Sequence, residues 1–196
     1  MGSEKYWILL FVGAYLLGNI SPSIILSKIF LKSDIRAHGS GNAGATNVRR
    51  VMGNKAGTIV FLLDMFKGML PTIIGAKMGG AQLAYLCGIA VVLGHVFPIF
   101  LKFKGGKGVA TSFGAALIIN PLFAILSISV FALIVWRTRY VSLGSILGTC
   151  TFPLLSILFG YEMKIVLLSM IFALIIVFSH RENIKKLLSK TENKLS

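Results

Sequence analysis

Carboxylates are the scarcest chemistry in this chain. Glu4, Asp34, Asp64, Glu162, Glu182 and Glu192 are the only acids among 196 residues. No two of them are spaced as a catalytic dyad, and a phosphotransferase that grips Mg²⁺ through carboxylates is poorly supported. Charge of either sign is low as well. Charged residues make up 13% of the chain, where a soluble domain carries roughly a quarter, so a soluble globular protein is excluded. The two cysteines, Cys87 and Cys150, both lie inside apolar runs and serve as small hydrophobes, with no disulfide framework. The three histidines, His38, His95 and His180, have no Cys, His or acid at ligand spacing, which leaves a zinc site poorly supported. Lys107 is followed by Gly108 where a Walker A loop needs Ser or Thr, so a nucleotide triphosphatase is unsupported.

Grease is what the chain has in quantity. Hydrophobic residues reach 56% and mean hydropathy is +0.85. Apolar runs fall at Tyr6–Phe30, 56–76, 83–100, Val109–Ile119, 122–135, 141–159 and 165–178. A helix crosses a bilayer in about 20 residues, so the fourth and fifth runs are short. They form either a pair of short crossing helices or a re-entrant hairpin around Asn120-Pro121. The expected fold is an all-α integral membrane protein of seven transmembrane helices, a single domain over 1–196 with a short tail from 180 to 196. The tail reads as an interfacial helix on anionic lipid.

Charge orients this bundle. Net charge is +14, and sixteen of the twenty Lys and Arg fall in the odd-numbered connections and the tail. The opposite side holds Lys5, Lys77 and Lys164, while Lys67 lies within a span. The positive-inside rule places the N-terminus outside and the C-terminus in the cytoplasm. A pI of 10.1 often signals nucleic acid, but these basic residues flank apolar spans, so the partner is anionic lipid or anionic substrate.

All the chemically suggestive loops fall on that basic side. In GSGNAGATNVRR, Gly39 to Arg50, the glycines Gly39, Gly41 and Gly44 permit a nest of backbone N–H groups. Ser40, Asn42, Thr46 and Asn47 add neutral hydrogen-bonding groups and Arg50 a phosphate fork. The alternative is a flexible turn followed by two orienting arginines. In GHVFPIFLKFKGGKGVAT, Gly94 to Thr111, Lys104, Gly105, Gly106, Lys107 and Gly108 set cations around bare backbone before a helix start, which favours an anion. Orientation alone needs the charge but not the glycines. His95 near the end of its run needs a polar partner. Asp64 and Lys67 stand at i, i+3 within the second span and can satisfy one another, as a structural or a functional pair. Ser142 and Ser145, one turn apart, either cap a helix or touch a ligand.

These segments resemble the signatures of the bacterial acyl-phosphate–glycerol-3-phosphate acyltransferases, integral membrane enzymes of phospholipid synthesis. GSGNAGATNVRR is similar to the first signature, GHVFPIFLKFKGGKGVAT to the second and HREN, His180 to Asn183, to the third. LDMFKG and RYVSLGS also look familial, and the resemblance spans essentially the whole chain. It implies transfer of a fatty acyl group from acyl phosphate to the sn-1 hydroxyl of glycerol 3-phosphate, giving lysophosphatidate and phosphate, with no cofactor and no metal. The HxxxxD pattern of thioester-using acyltransferases is absent, since Ala43, Phe100 and Lys185 hold the fifth place after the histidines.

By the same resemblance Ser40, Gly41, Asn42, Gly44, Thr46 and Asn47 cradle the acyl phosphate. Arg50, Lys104 and Lys107 bind glycerol 3-phosphate with His95, Gly105, Gly106, Gly108, Ser142 and Ser145. The catalytic set is His180, Lys107, Arg50 and Asn183, the base being either His180 or the acceptor's own phosphate. The implied location is the bacterial cytoplasmic (inner) membrane, multi-pass, with the site facing the cytoplasm. An anion or head-group transporter is the alternative, for which the outer loops offer little beyond Lys77, Glu162 and Lys164.

Overall fold

A computed structural model describes residues 3–195; Met1, Gly2 and Ser196 lie outside it. Helix is the only regular structure among the described residues, with no strand. Four stretches are long and apolar enough to cross a membrane: Tyr6–Phe30, Asn54–Leu101, Pro121–Thr138 and Val141–Leu158. A bent pair, α8 (Met163–Ser179) and α9 (Arg181–Leu188), makes a fifth. The chain divides into two compact units, one through Ile119 and one from Asn120.

The first unit is built on α4 (Asn54–Val96), a 43-residue helical element whose backbone leaves helical geometry at Gly79 and Gly80. Gly80 has φ +66, a conformation glycine adopts without Cβ strain. This break separates the second and third apolar runs and folds α4 back along itself. The later half is packed by α1 (Ser3–Gly18): Ala14, Leu83, Cys87, Ala90 and Val91 form a core flanked by Tyr6, Trp7, Leu10 and Phe11. The backbones touch there, because a Cβ on Gly94 would overlap the Tyr15 carbonyl and one on Gly18 the Val91 carbonyl. Between helices in lipid, such small-residue contacts replace the hydrophobic drive that water supplies elsewhere. The short α5 (Val109–Ile119) lies on the earlier half of α4.

The first apolar run is not one continuous helix. It breaks after Gly18 and restarts as α2 (Pro22–Phe30), because Pro22 has no N–H to continue the ladder. Lys67 supplies the missing donor: its Nζ lies 2.7 Å from the Ile20 carbonyl and 3.4 Å from that of Gly18. Asn19 Nδ2 donates to the Tyr15 carbonyl at 2.7 Å. The i, i+3 partner of Lys67 is Asp64, with Nζ to Oδ1 at 2.7 Å.

The second unit holds α6 (Pro121–Thr138), α7 (Val141–Leu158), α8 and α9. Phe123 is its buried aromatic anchor, in contact with Phe152, Phe159 and Tyr161. Two expectations change here. The fifth apolar run is not short: α6 has 18 residues, about 27 Å of helix. It runs on through Arg137 and Thr138, with Thr138 Oγ1 bonded back to Ile134, and stops at left-handed Arg139. The tail, in turn, is helical only through Leu188. Lys190 is left-handed (φ +59), and the chain beyond it runs back to Arg139, whose carbonyl accepts from Leu195 N–H at 2.7 Å.

Candidate active site

In the first unit, the loop from Gly39 to Gly44 is shaped by one side chain, Asn47, which is 1% exposed. Asn47 Oδ1 accepts from the Ser40 N–H at 2.8 Å. Its Nδ2 donates to the carbonyls of His38 (2.9 Å), Asn42 (3.0 Å) and Ile35 (3.2 Å). The loop closes around that amide because Gly39 is left-handed, and a Cβ on Gly39 would overlap Asn47 Oδ1. Ile35, Ala43 and Val48 seal the loop from below together with Ile24 and Val60. Helix α3 (Ala45–Met52) then begins at Gly44, with Thr46 in its first turn and Arg49 and Arg50 in its last. Ser40 and Gly41 remain exposed. Arg49 Nε is committed to Asn54 Oδ1 at 2.8 Å, across the junction with α4.

The second glycine-rich loop meets the first. Gly106 is buried, and its N–H donates to the His95 carbonyl at 3.1 Å. A Cβ on Gly106 would overlap His95 Nε2 and come within 2.9 Å of the Ala43 carbonyl. Bare backbone is thus required where the two loops and the α4 terminus converge. Arg36, which sequence reading left among the orienting charges, makes a second bridge. Its Nη1 donates to the Lys104 carbonyl at 3.0 Å, while Nε and Nη2 grip the two Asp34 oxygens at 3.0 and 2.7 Å. That fork holds the Asp34 carboxyl below its ordinary value, chiefly by hydrogen bonding. Lys104 is exposed, and Lys107 and Gly108 follow at the start of α5, Gly108 with φ +82. In the first turn of α5 the Thr111 and Ser112 hydroxyls are buried without a hydrogen-bond partner.

His95 itself is 5% exposed, with Nδ1 3.4 Å from Asp64 Oδ1. The His38 ring lies on the surface against Ser33 Oγ at 2.9 Å. Among the described residues no group of three or more His, Cys, Asp and Glu is placed to hold a metal ion.

The second unit brings together residues that the sequence separates widely. Ser142 Oγ and Asn183 Nδ2 both donate to the same oxygen, Glu192 Oε1, each at 2.8 Å. Ser142 is 5% and Ser145 4% exposed, and Ser145 Oγ donates back to the Val141 carbonyl at 2.9 Å. His180, 2% exposed, closes α8 and places Nδ1 2.8 Å from the Ile176 carbonyl. A carbonyl accepts only from an N–H, so the proton sits on Nδ1 and Nε2 is the basic nitrogen of the neutral ring. Sequence reading passed over Glu192. Its one signal was a carboxylate in a mostly basic tail that also holds Glu182.

The Glycerol-3-phosphate acyltransferase family model matches residues 8–190. A glycerol-3-phosphate acyltransferase from Thermoanaerobacter pseudethanolicus is 48% identical over 190 residues, covering 97% of this chain and 96% of the relative. One from Alkaliphilus metalliredigens is 46% identical, covering 96% and 95%. Among solved structures, the glycerol 3-phosphate form of PlsY (YgiH), an integral membrane glycerol 3-phosphate acyltransferase, superposes with a TM-score of 0.93 at 39% identity. It covers 97% of this chain and 96% of that one. The lysophosphatidic acid form of the same protein gives 0.90. Family model, near-full-length relatives and a matching membrane fold agree with the two glycine-rich loops: the chain belongs to the PlsY family of integral membrane glycerol-3-phosphate acyltransferases.

Proposed function

We propose that this acyltransferase takes its acyl group from acyl phosphate and delivers it to the sn-1 hydroxyl of glycerol 3-phosphate, releasing lysophosphatidate and inorganic phosphate. The observation that carries this reading is the junction at Gly106, where two glycine-rich loops meet on bare backbone beside Lys104 and Lys107. Such a surface recognises phosphate by N–H dipoles and cations. Ser40, Thr46 and the N–H groups of the Gly39–Gly44 loop hold the donor's phosphate; Asn47 serves by keeping that loop closed. Arg50, Lys104 and Lys107 hold the phosphate of the acceptor. In the second unit, motif position assigns Ser142, Ser145, His180 and Asn183 to the acceptor as well.

The acceptor oxygen attacks the acyl carbonyl carbon, a new ester C–O bond forms, and the bond to the phosphate oxygen breaks. Phosphate is already a good leaving group in this mixed anhydride, so the protein contributes alignment and charge neutralisation. Two groups qualify to take the hydroxyl proton, the acceptor's own phosphate and His180 Nε2, which the Ile176 carbonyl orients through the other nitrogen. No acyl-enzyme forms on Ser40, Ser142 or Ser145, and neither metal nor coenzyme takes part.

Dividing α4 at Gly79–Gly80 and counting α5 gives seven spans, N-terminus outside and C-terminus in the cytoplasm. The glycine-rich loops then face the cytoplasm from the bacterial inner membrane. Purified protein supplied with acyl phosphate and glycerol 3-phosphate is expected to release phosphate only when both are present, and EDTA is expected to leave the rate unchanged. Arg50→Ala and Lys107→Ala should each lose about a hundredfold in kcat/KM. Arg49→Ala, which removes only the contact to Asn54, should lose less than about threefold. Phosphate release independent of the acceptor refutes the reaction, and equal losses in all three variants refute the assignment.

A further inference from the structure

A polar cluster buried within α4 has one member more than its structural task requires. Lys67 supplies the donor missing at the break between α1 and α2. Asp64 balances that charge at 2.7 Å, and these two would suffice. His95 joins them from the far end of the same helical element, which the break at Gly79–Gly80 folds back to bring its Nδ1 to 3.4 Å from Asp64 Oδ1. A third polar group in an apolar span is costly unless it has a further use. On its other side His95 forms the floor of the second glycine-rich loop. Its carbonyl accepts the Gly106 N–H, its Nε2 edge lies where a Gly106 Cβ would be, and its carbonyl lies where a Gly105 Cβ would be.

We infer that Asp64 is a positioning residue for acyl transfer: it fixes the His95 ring, and the ring sets the Gly105–Gly106 backbone from which Lys104 and Lys107 reach the acceptor's phosphate. Asp64 Oδ1 makes no hydrogen bond of good geometry among the described residues; its charge, 3.4 Å from Nδ1, favours a proton there and draws the ring toward it. With the Ala43 carbonyl and the His95 ring edge both crowded against the Cβ side of Gly106, a rotated ring displaces the loop that carries both lysines. In this role Asp64 and His95 work through the backbone they support. They act by holding a bare backbone segment to a fraction of an ångström, and misplacement by about 1 Å is worth about a hundredfold in rate. The role of the lysines here rests on the reaction proposed above.

The test is a comparison of Asp64→Asn and His95→Asn with the unaltered protein in detergent. His95→Asn keeps an N–H donor near the Nδ1 position but removes the ring edge beneath Gly106, so it probes the floor without unbalancing Lys67. KM for glycerol 3-phosphate, KM for acyl phosphate and kcat are read together with deuterium exchange over residues 104–108. In both variants KM for glycerol 3-phosphate is expected to rise at least about tenfold, KM for acyl phosphate to stay within twofold, and exchange at Gly106 to accelerate. A purely structural cluster would instead lower the active fraction, hence kcat, with both KM values unchanged and Gly106 as protected as in the unaltered protein. That result in His95→Asn overturns the proposal even if Asp64→Asn does not fold. Absence of acceptor-dependent phosphate release from the unaltered protein would sink the proposed reaction. Exchange at Gly106 would still decide whether Asp64 and His95 hold the loop.

Discussion

Replacing Asn47 by Asp changes one atom pair and inverts the chemistry at the centre of the first loop. The amide nitrogen now donates to three carbonyls, those of Ile35, His38 and Asn42, and a carboxylate oxygen in its place would face all three without a proton to share. The Ser40 N–H would keep its acceptor. A typical internal hydrogen bond contributes about 1 kcal/mol, and a buried acceptor left unpaired costs about 1–3 kcal/mol. His38 lies on the surface, where water can replace the lost donor, so the three carbonyls together should cost about 2–4 kcal/mol. Applied to loop closure, that is a loss of about thirtyfold to a thousandfold in kcat/KM. Asn47→Ala loses the same donors and also the acceptor of the Ser40 N–H, but adds no repelling charge, so both variants should lose activity and loop protection. The measurements are phosphate release and deuterium exchange over residues 38–47. If either variant keeps unaltered turnover and loop protection, the view of Asn47 as the closure of this loop is wrong.

Glu192→Ala removes the acceptor shared by Ser142 and Asn183. With two charge-assisted bonds lost from a half-buried site, activity should fall about thirtyfold, Glu192→Gln should recover part of it, and steady-state assays of both variants decide. The Asp34–Arg36 fork predicts an acid limit. A carboxyl held below its usual value by a cation contributes stability that is whole above about pH 4 and fades as pH falls through the lowered folded value. Protection over residues 104–108, taken relative to the intrinsic amide rate at each pH, should therefore fall at the acid end in the unaltered protein, while Asp34→Asn should show the lower protection at every pH and no acid transition.

The break in the first apolar run shows where linear reading stops. Pro22 was visible in the sequence, yet the run around it is apolar throughout, and nothing local says which residue satisfies the freed carbonyls. The donor is Lys67, forty-seven residues beyond Ile20. The same holds for Arg36, which local sequence presents as one more orienting charge and the fold turns into a clamp on Lys104. The tail was expected as an interfacial helix, and a helix exists, but only as far as Leu188; the return of Glu192 to Ser142 depends on a partner fifty residues away.

Composition and short-range pattern were enough to settle the fold class. Long apolar runs can satisfy their backbone in lipid only as helices, so the all-helical membrane fold was written in hydropathy. The glycine-rich segments were legible as places of close backbone approach, and Gly39 and Gly106 do meet Asn47 and His95 closely. Tertiary structure alone decided which buried charge meets which carbonyl, that Asn47 closes its loop inward, and that His95 lies between Asp64 and Gly106. Those are contacts between residues far apart in the chain, selected by the bend at Gly79–Gly80 and by helix packing; local propensity carries no information about them.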